Sequence, residues 1–184
     1  MHEILILGRG GQGAQTAGSQ LARAFFAEGL FVQTFATYGG ARRGTPVTAS
    51  LRADNRPIRL RSNIKRASAV LCFDDSLLDE TVLRIADEKT FVVVNSDRPG
   101  AAFLGLGDWR VLPVNGKEIA RRNDLGKVVN SALLGALAAA IGAPDIETMC
   151  QVIGETAPAR VQENVAACRE AFEQTTDNIA EATR

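Results

Sequence analysis

The 184-residue chain has one histidine, one tryptophan, one tyrosine and three cysteines. A lone histidine at position 2 leaves no basis for a His-centred catalytic triad or metal site. Cys72, Cys150 and Cys168 stand far apart with no C-x-x-C pair, so the spacing matches no disulfide framework, zinc site or iron–sulfur site. Each thiol reads as a small core hydrophobe. Cys168 fits this best, because it falls on the stripe Val161, Val165, Cys168, Phe172 and Ile179 at helical spacing. Long apolar runs are also missing: Ala136 to Ile141 is far short of the ~18 residues needed to cross a bilayer. Met1-His2-Glu3 leads straight into Ile4-Leu5-Ile6-Leu7 with no basic leader and no cleavage site. The expectation is a soluble, cytoplasmic protein with no membrane partner.

What the chain does have is an uneven charge. It carries 21 basic and 21 acidic side chains, yet residues 1–66 hold ten basic groups against Glu3, Glu28 and Asp54, a net +7 balanced by −7 in the rest. Eight of the ten lie between Arg42 and Arg66, and seven of those are arginine. Arginine offers a planar fork suited to phosphate or carboxylate. The cluster is read either as a solvated or partner-facing edge or as an anion site. No aromatic stripe is interleaved with it, which argues against nucleic acid.

Apolar runs and breakers alternate along the chain. Glu3–Leu7 predicts a strand, and Ala14–Ala27 predicts a helix closed by Gly29. Leu30–Thr37 is a second strand. Val47–Ala53 and Ile58–Leu60 flank Asn55-Arg56-Pro57 as a predicted hairpin. Ala69–Phe73 is a buried strand, followed by a helix from Ser76 to about Asp87. Phe91–Asn95 and Trp109–Val114 are further strands. Lys117–Arg122 is a short helix, Leu125–Ile141 a buried one, Asp145 caps another, and Pro158 opens the last, reaching about Ala182. With no repeat or linker, residues 1–184 read as a single domain. Its class is α/β: a three-layer, doubly wound, mainly parallel sheet with helices on both faces and a helical C-terminal tail.

The segment Gly8-Arg9-Gly10-Gly11-Gln12-Gly13 places Gly8-x-Gly10-x-x-Gly13 between a predicted strand and a predicted helix. Glycines permit a tight turn and close approach of a ligand, and the helix N-terminus suits an anion. Arg9 adds a full charge. A turn that binds nothing is the competing reading. The second strand ends Phe35-Ala36-Thr37-Tyr38-Gly39-Gly40 without the acid that holds the ribose of NAD. Arg42 and Arg43 follow instead, suited to the ribose phosphate of NADP or the 3′-phosphate of coenzyme A.

The glycine loop, together with Tyr38-Gly39-Gly40-Ala41-Arg42-Arg43-Gly44-Thr45-Pro46-Val47, resembles the γ subunit of 2-oxoacid:acceptor oxidoreductases. That family is typified by pyruvate:ferredoxin oxidoreductase and its ketoisovalerate, indolepyruvate and phenylglyoxylate relatives. Arg56-Pro57-Ile58-Arg59-Leu60-Arg61-Ser62 and Asn130-Ser131-Ala132-Leu133-Leu134-Gly135-Ala136-Leu137 resemble further segments of it. Gly40-Ala41 departs from the bulkier or acidic residues common before the arginine pair. The resemblance implies a non-redox subunit, inactive alone, of a complex that oxidatively decarboxylates a 2-oxoacid. Thiamine diphosphate is then held by α and β subunits, and iron–sulfur clusters, including those of a ferredoxin-like subunit, carry the electrons. This chain is implied to hold no cofactor alone but to sit on the coenzyme A side of the active site.

On that reading Gly8, Arg9, Gly10, Gly11, Gln12 and Gly13 form an anion-receiving loop. Arg42 and Arg43 bind coenzyme A phosphate or make ion pairs across a subunit interface. Asn130, the first polar residue of an apolar helix, is expected to hydrogen-bond a loop. No residue is nominated as catalytic or as a metal ligand. A free-standing NADP-dependent reductase is the alternative, though Tyr38 has no lysine near it. A pure scaffold is the third.

Overall fold

A computed structural model describes residues 1–38, 44–79, 84–107 and 109–182. Six strands form one sheet in the order β2-β3-β1-β4-β5-β6, where β1 is His2–Arg9, β2 Phe31–Tyr38, β3 Pro46–Asp54, β4 Ala69–Cys72, β5 Phe91–Asn95 and β6 Arg110–Val114. β1, β4, β5 and β6 pair in parallel, while β3 runs antiparallel to both β1 and β2. Five strands therefore share one direction, as a mainly parallel sheet requires. Ile4 and Ile6 of β1 lie in one buried cluster, Leu5 and Leu7 in a second on the opposite face. Burial on both faces is why β1, β4 and β5 read as unbroken apolar runs rather than alternating ones.

The helices are α1 (Ala14–Ala27), α2 (Gly116–Arg122), α3 (Asn130–Ile141), α4 (Ile146–Thr156) and α5 (Val161–Ala182). Buried residues of α1 to α5 join the cluster on the Ile4 and Ile6 face. The other face is covered by shorter pieces: Leu77 and Leu78 at the 3-10 turn Asp75–Leu77, Phe103 of the 3-10 helix Gly100–Leu106, and Ile64. α3 is buried almost all round because α5 lies across it. At their crossing a Cβ on Gly135 would fall 1.9 Å from the Cys168 carbonyl oxygen. All three cysteines are buried free thiols, as expected of core residues.

The hairpin expected around Asn55-Arg56-Pro57 does not form. β3 has β2 along one edge, Phe31 to Tyr38 against Asp54 to Val47, and β1 along the other. No edge is left for Ile58–Leu60, and Pro57 has no N–H to donate. Residues 55–66 instead form an irregular strap. Gln33 Nε2 donates to the Leu60 carbonyl at 2.9 Å and Arg52 Nη2 to that of Ser62 at 2.8 Å.

Three boundaries also move. α3 begins at Asn130, not Leu125, because Asp124 (φ 53°) and Gly126 (φ 62°) take left-handed conformations. α5 begins at Val161, not Pro158, because Arg160 (φ 51°) breaks the helical path and the Asn164 amide folds back to the carbonyls of Ala159 and Arg160. Asp74, not Ser76, caps the turn at Asp75–Leu77, accepting from the Ser76 N–H. Residues 80–83 of the helix expected there lie outside the described residues. Gly29 (φ 83°) closes α1 and Asp145 caps α4, both as the sequence indicates.

Candidate functional site

The carbonyl ends of β1, β4, β5 and β6 open onto a cavity of about 720 Å³. β1 delivers Gly11, Gln12 and Gly13, β4 leads to Phe73, β5 ends in Asn95, and the start of α2 after β6 supplies Lys117. Lys127 to Ser131, around the start of α3, form another wall, and Ala157, Pro158 and Asn164 close it from the α4–α5 junction. The chain leaves β1 toward β2 on one side, while β4 lies on the other. Such a switch point is where open α/β sheets hold ligands.

Asn95 props this region open. Its Nδ2 donates to the Phe73 carbonyl at 3.2 Å, and its Oδ1 accepts from the Gly116 N–H at 3.1 Å. One side chain thus spaces the ends of β4 and β5 and the start of α2. Gln20 of α1 sits at the base, 5% exposed, between Asn130 and Thr156.

The six residues of the glycine loop divide into two groups. Gly11, Gln12 and Gly13 line the cavity, and Gly13 has φ 95°, a conformation that glycine takes without strain. Arg9 turns elsewhere: its Nε donates to Asp74 Oδ2 at 2.7 Å, and its Nη2 to Ser76 Oγ at 2.8 Å. Partial burial works against the Asp74 carboxylate. Hydrogen bonds from the Ser76 hydroxyl and the Arg9 guanidinium outweigh it and hold its pKa below the ordinary aspartate value. Gly8 belongs to the strand end, where a Cβ would lie 2.9 Å from that of Ala14. Gly10 is tied back to Thr45 and Gly44. Arg42 and Arg43 lie outside the described residues.

Asn130 does reach the cavity, but it bonds to Gln20 of α1 rather than to a loop. Sequence reading missed Gln20, Asn95, Lys117, Lys127 and Asn164, which share no local motif and meet only through the topology. Lys117 and Lys127 are exposed on the cavity wall, and neither has an ion-pair partner among the described residues. Of the other arginines in the basic cluster, Arg52 is 1% exposed. It is held by Glu3, Gln33 and the Ser62 carbonyl, and is structural.

Fold and cavity together define an α/β domain with a cavity at its strand ends and a glycine turn of dinucleotide type, but without the acid of an NAD site. The chain belongs to the pyruvate ferredoxin/flavodoxin oxidoreductase family, whose model matches residues 3–174, and within it to the gamma-subunit type. It is 39% identical over 181 residues to the pyruvate/ketoisovalerate oxidoreductases common subunit gamma of Pyrococcus furiosus, covering 95% of this chain and 97% of that one. The crystal structure of pyruvate oxidoreductase subunit PORC from Thermotoga maritima superimposes with a TM-score of 0.83 at 26% identity, covering 94% of this chain and 95% of that one. A third likeness is of fold alone. The 2-oxoglutarate:ferredoxin oxidoreductase of Magnetococcus marinus, solved with 2-oxoglutarate, coenzyme A and succinyl-CoA bound, matches with a TM-score of 0.70 at 20% identity. It covers 98% of this chain and 31% of that one. The free-standing NADP reductase finds no support in these likenesses.

Proposed function

We propose that this chain is the gamma subunit of a thiamine-diphosphate-dependent 2-oxoacid:acceptor oxidoreductase and that its cavity seats part of coenzyme A. The observation that carries the ligand reading is the cavity at the strand ends, where a glycine turn meets two lysines that have no ion pair among the described residues. Its volume and its mix of cations, amides and apolar wall suit a large ligand with phosphates at one end and a neutral arm at the other. The family membership and the coenzyme A in the fold neighbour point the same way.

In the complex, a 2-oxoacid anion and coenzyme A become an acyl-CoA, carbon dioxide and a proton, and two electrons leave for the acceptor. We assign thiamine diphosphate to α and β partner subunits and iron–sulfur clusters to other subunits, one of them ferredoxin-like. Coenzyme A supplies the thiol that accepts the acyl group. The residues of this chain bind and orient it: Lys117 and Lys127 neutralise charge, while Gly11, Gln12 and Gly13 permit close approach. Arg9 acts indirectly, fixing the turn through Asp74. Arg42 and Arg43 either bind a coenzyme A phosphate or pair with acids of a partner, the interface role being favoured for at least one of them.

Gentle purification of the tagged chain from its source cells, with mass spectrometry of what accompanies it, tests the subunit role. Stoichiometric thiamine-binding and ferredoxin-like subunits are expected. Recovery of the chain alone, or turnover of a 2-oxoacid by the isolated chain, would overturn it. Replacing Arg42 and Arg43 by methionine separates their two roles: weaker assembly marks an interface, weaker coenzyme A binding a phosphate site.

A further inference from the structure

A chain of hydrogen bonds fixes which way the Asn130 amide faces. The Thr156 hydroxyl donates its one hydrogen to the Val152 carbonyl at 2.6 Å. It can therefore only accept from Gln20, whose Nε2 lies 2.9 Å away. That orients Gln20 with its Oε1 toward Asn130, where it accepts from Nδ2 at 2.8 Å. The Asn130 Oδ1 is thereby turned away from Gln20. It is buried and has no hydrogen-bond partner, the one such side-chain atom among the described residues. Asn130 and Gly13 both line the cavity, and a Cβ at position 13 would sit 3.2 Å from this oxygen. An acceptor that needs a donor thus lies at the N-terminus of α1.

Part of the same turn is already bonded within the fold, while the N–H groups of Gly11, Gly13, Ala14 and Thr16 have no partner among the described residues. The Arg9 N–H donates to Gln12 Oε1 at 2.7 Å, the Gly10 N–H to the Thr45 carbonyl at 2.9 Å, and the Gln12 N–H to the Arg9 carbonyl at 2.9 Å. The Arg9 guanidinium is held by Asp74 and Ser76. A phosphate at Gly13 would meet the carbonyl oxygen of Asn130, and the Arg9 cation of the turn is committed to Asp74. Lys117 and Lys127 also line the cavity, as cations without an ion pair among the described residues.

We propose that the cavity is divided. The glycine turn and Asn130 Oδ1 receive an uncharged, N–H-donating part of the ligand, and Lys117 and Lys127 take its phosphates. This rests on the coenzyme A reading above and sets the direction of that ligand. The pantetheine arm, with its amide N–H groups, lies along the glycine turn, and the phosphorylated nucleotide end lies toward the lysines. On this division the glycine turn is not the phosphate seat that its pattern suggests: Asn130 Oδ1 takes an N–H of the arm, and the unpaired N–H groups of the turn serve its amide carbonyls.

The purified complex, titrated calorimetrically with coenzyme A, with pantetheine and with adenosine 3′,5′-bisphosphate, tests the division. Asn130→Leu should weaken coenzyme A and pantetheine by the same factor, about 3- to 10-fold for one lost hydrogen bond, and leave the bisphosphate unchanged. Lys127→Gln and Lys117→Gln should weaken coenzyme A and the bisphosphate, with a shallower salt dependence, and leave pantetheine unchanged. Thermal unfolding of the Asn130→Leu complex guards against misfolding, because that variant also takes the donor from Gln20 Oε1. If a folded Asn130→Leu complex tightens the bisphosphate or leaves pantetheine unchanged, the division is wrong. If coenzyme A affinity is the same in the wild-type complex and in every variant, the coenzyme A reading itself is overturned, and the division with it.

Discussion

Arg9 Nε donates to Asp74 Oδ2 across 2.7 Å, so a single ion pair ties the glycine turn after β1 to the end of β4. Ser76 Oγ reinforces it, donating to Asp74 Oδ1 at 2.6 Å and accepting from Arg9 Nη2. Because the folded Asp74 pKa lies below its unfolded value, the pair contributes stability above the unfolded pKa of about 3.9 and loses it as pH falls through the folded value. The turn should hold its conformation at neutral pH and loosen below about pH 4. Amide NMR shifts of Gly10 to Gly13 read this directly. Asp74→Asn should remove that acid step and leave the turn looser at pH 7; an identical titration in both proteins would show that the pair does not govern the turn.

Arg52 should behave quite differently from the exposed arginines around it. It is 1% exposed, with Glu3 Oε1 at 2.8 Å, Gln33 Oε1 at 3.0 Å and the Ser62 carbonyl at 2.8 Å, and its guanidinium carbon lies 5.8 Å from the centre of the Phe35 ring. Arg52→Met strips partners from three groups at once and releases the strap over residues 55–66. A loss of about 3 kcal/mol in urea denaturation is expected. Arg59→Met, on the exposed strap, should change stability by less than about 0.5 kcal/mol. Equal midpoints for the two variants would mean that Arg52 anchors nothing.

Two glycines in helices predict opposite signs. At Gly135 a Cβ would meet the Cys168 oxygen at 1.9 Å and its carbonyl carbon at 2.8 Å, all backbone that cannot rotate away. Gly135→Ala must push α3 from α5, at a cost of about 3 kcal/mol. At Gly154 in α4 the nearest atoms are Val165 Cγ2 at 3.9 Å and Val161 Cγ1 at 4.0 Å, which is ordinary contact. Gly154→Ala should therefore stabilise by about 0.5–1 kcal/mol through helix propensity alone. Thermal unfolding of the two variants checks the pair, and a drop for Gly154→Ala would contradict the packing described.

The elements legible in the sequence are those whose cause is local. β1, β4 and β5 are continuous apolar runs, and α1 carries its own period and its Gly29 stop. The partner of β3 was not legible, because the rule favouring near neighbours pointed to Ile58–Leu60. The real partners, β1 and β2, are specified by the twofold burial of β1. The start of α5 is hidden because the left-handed residue there, Arg160, is not glycine; at α3 Gly126 is the visible breaker, but left-handed Asp124 is not. In the site, the glycine turn could be seen but not its internal wiring. Lys117, Lys127, Asn95 and Gln20 come from separate segments that only the topology brings together. Asn130 stood out as a polar start to an apolar helix, yet its true partner lies 110 residues away on α1.

The three thiols make a last prediction, on chemistry rather than packing. Burial pushes the Cys72 pKa up to about 12, and its Sγ is engaged with the Asp74 carbonyl at 3.0 Å. At pH 8 about one molecule in ten thousand would then carry the thiolate that reacts. Cys150 and Cys168 share a thiol hydrogen bond, which lowers the pKa of Cys150 and raises that of Cys168, with burial adding to the rise. Cys150 is also 5% exposed where the other two are fully covered. Under native conditions at pH 8, iodoacetamide should mark Cys150 first, with Cys168 and Cys72 lagging until denaturant opens the core. Peptide mass spectrometry over a time course resolves the order. Labelling of Cys72 as fast as Cys150 would mean that the core beneath β4 opens far more readily than its buried contacts allow.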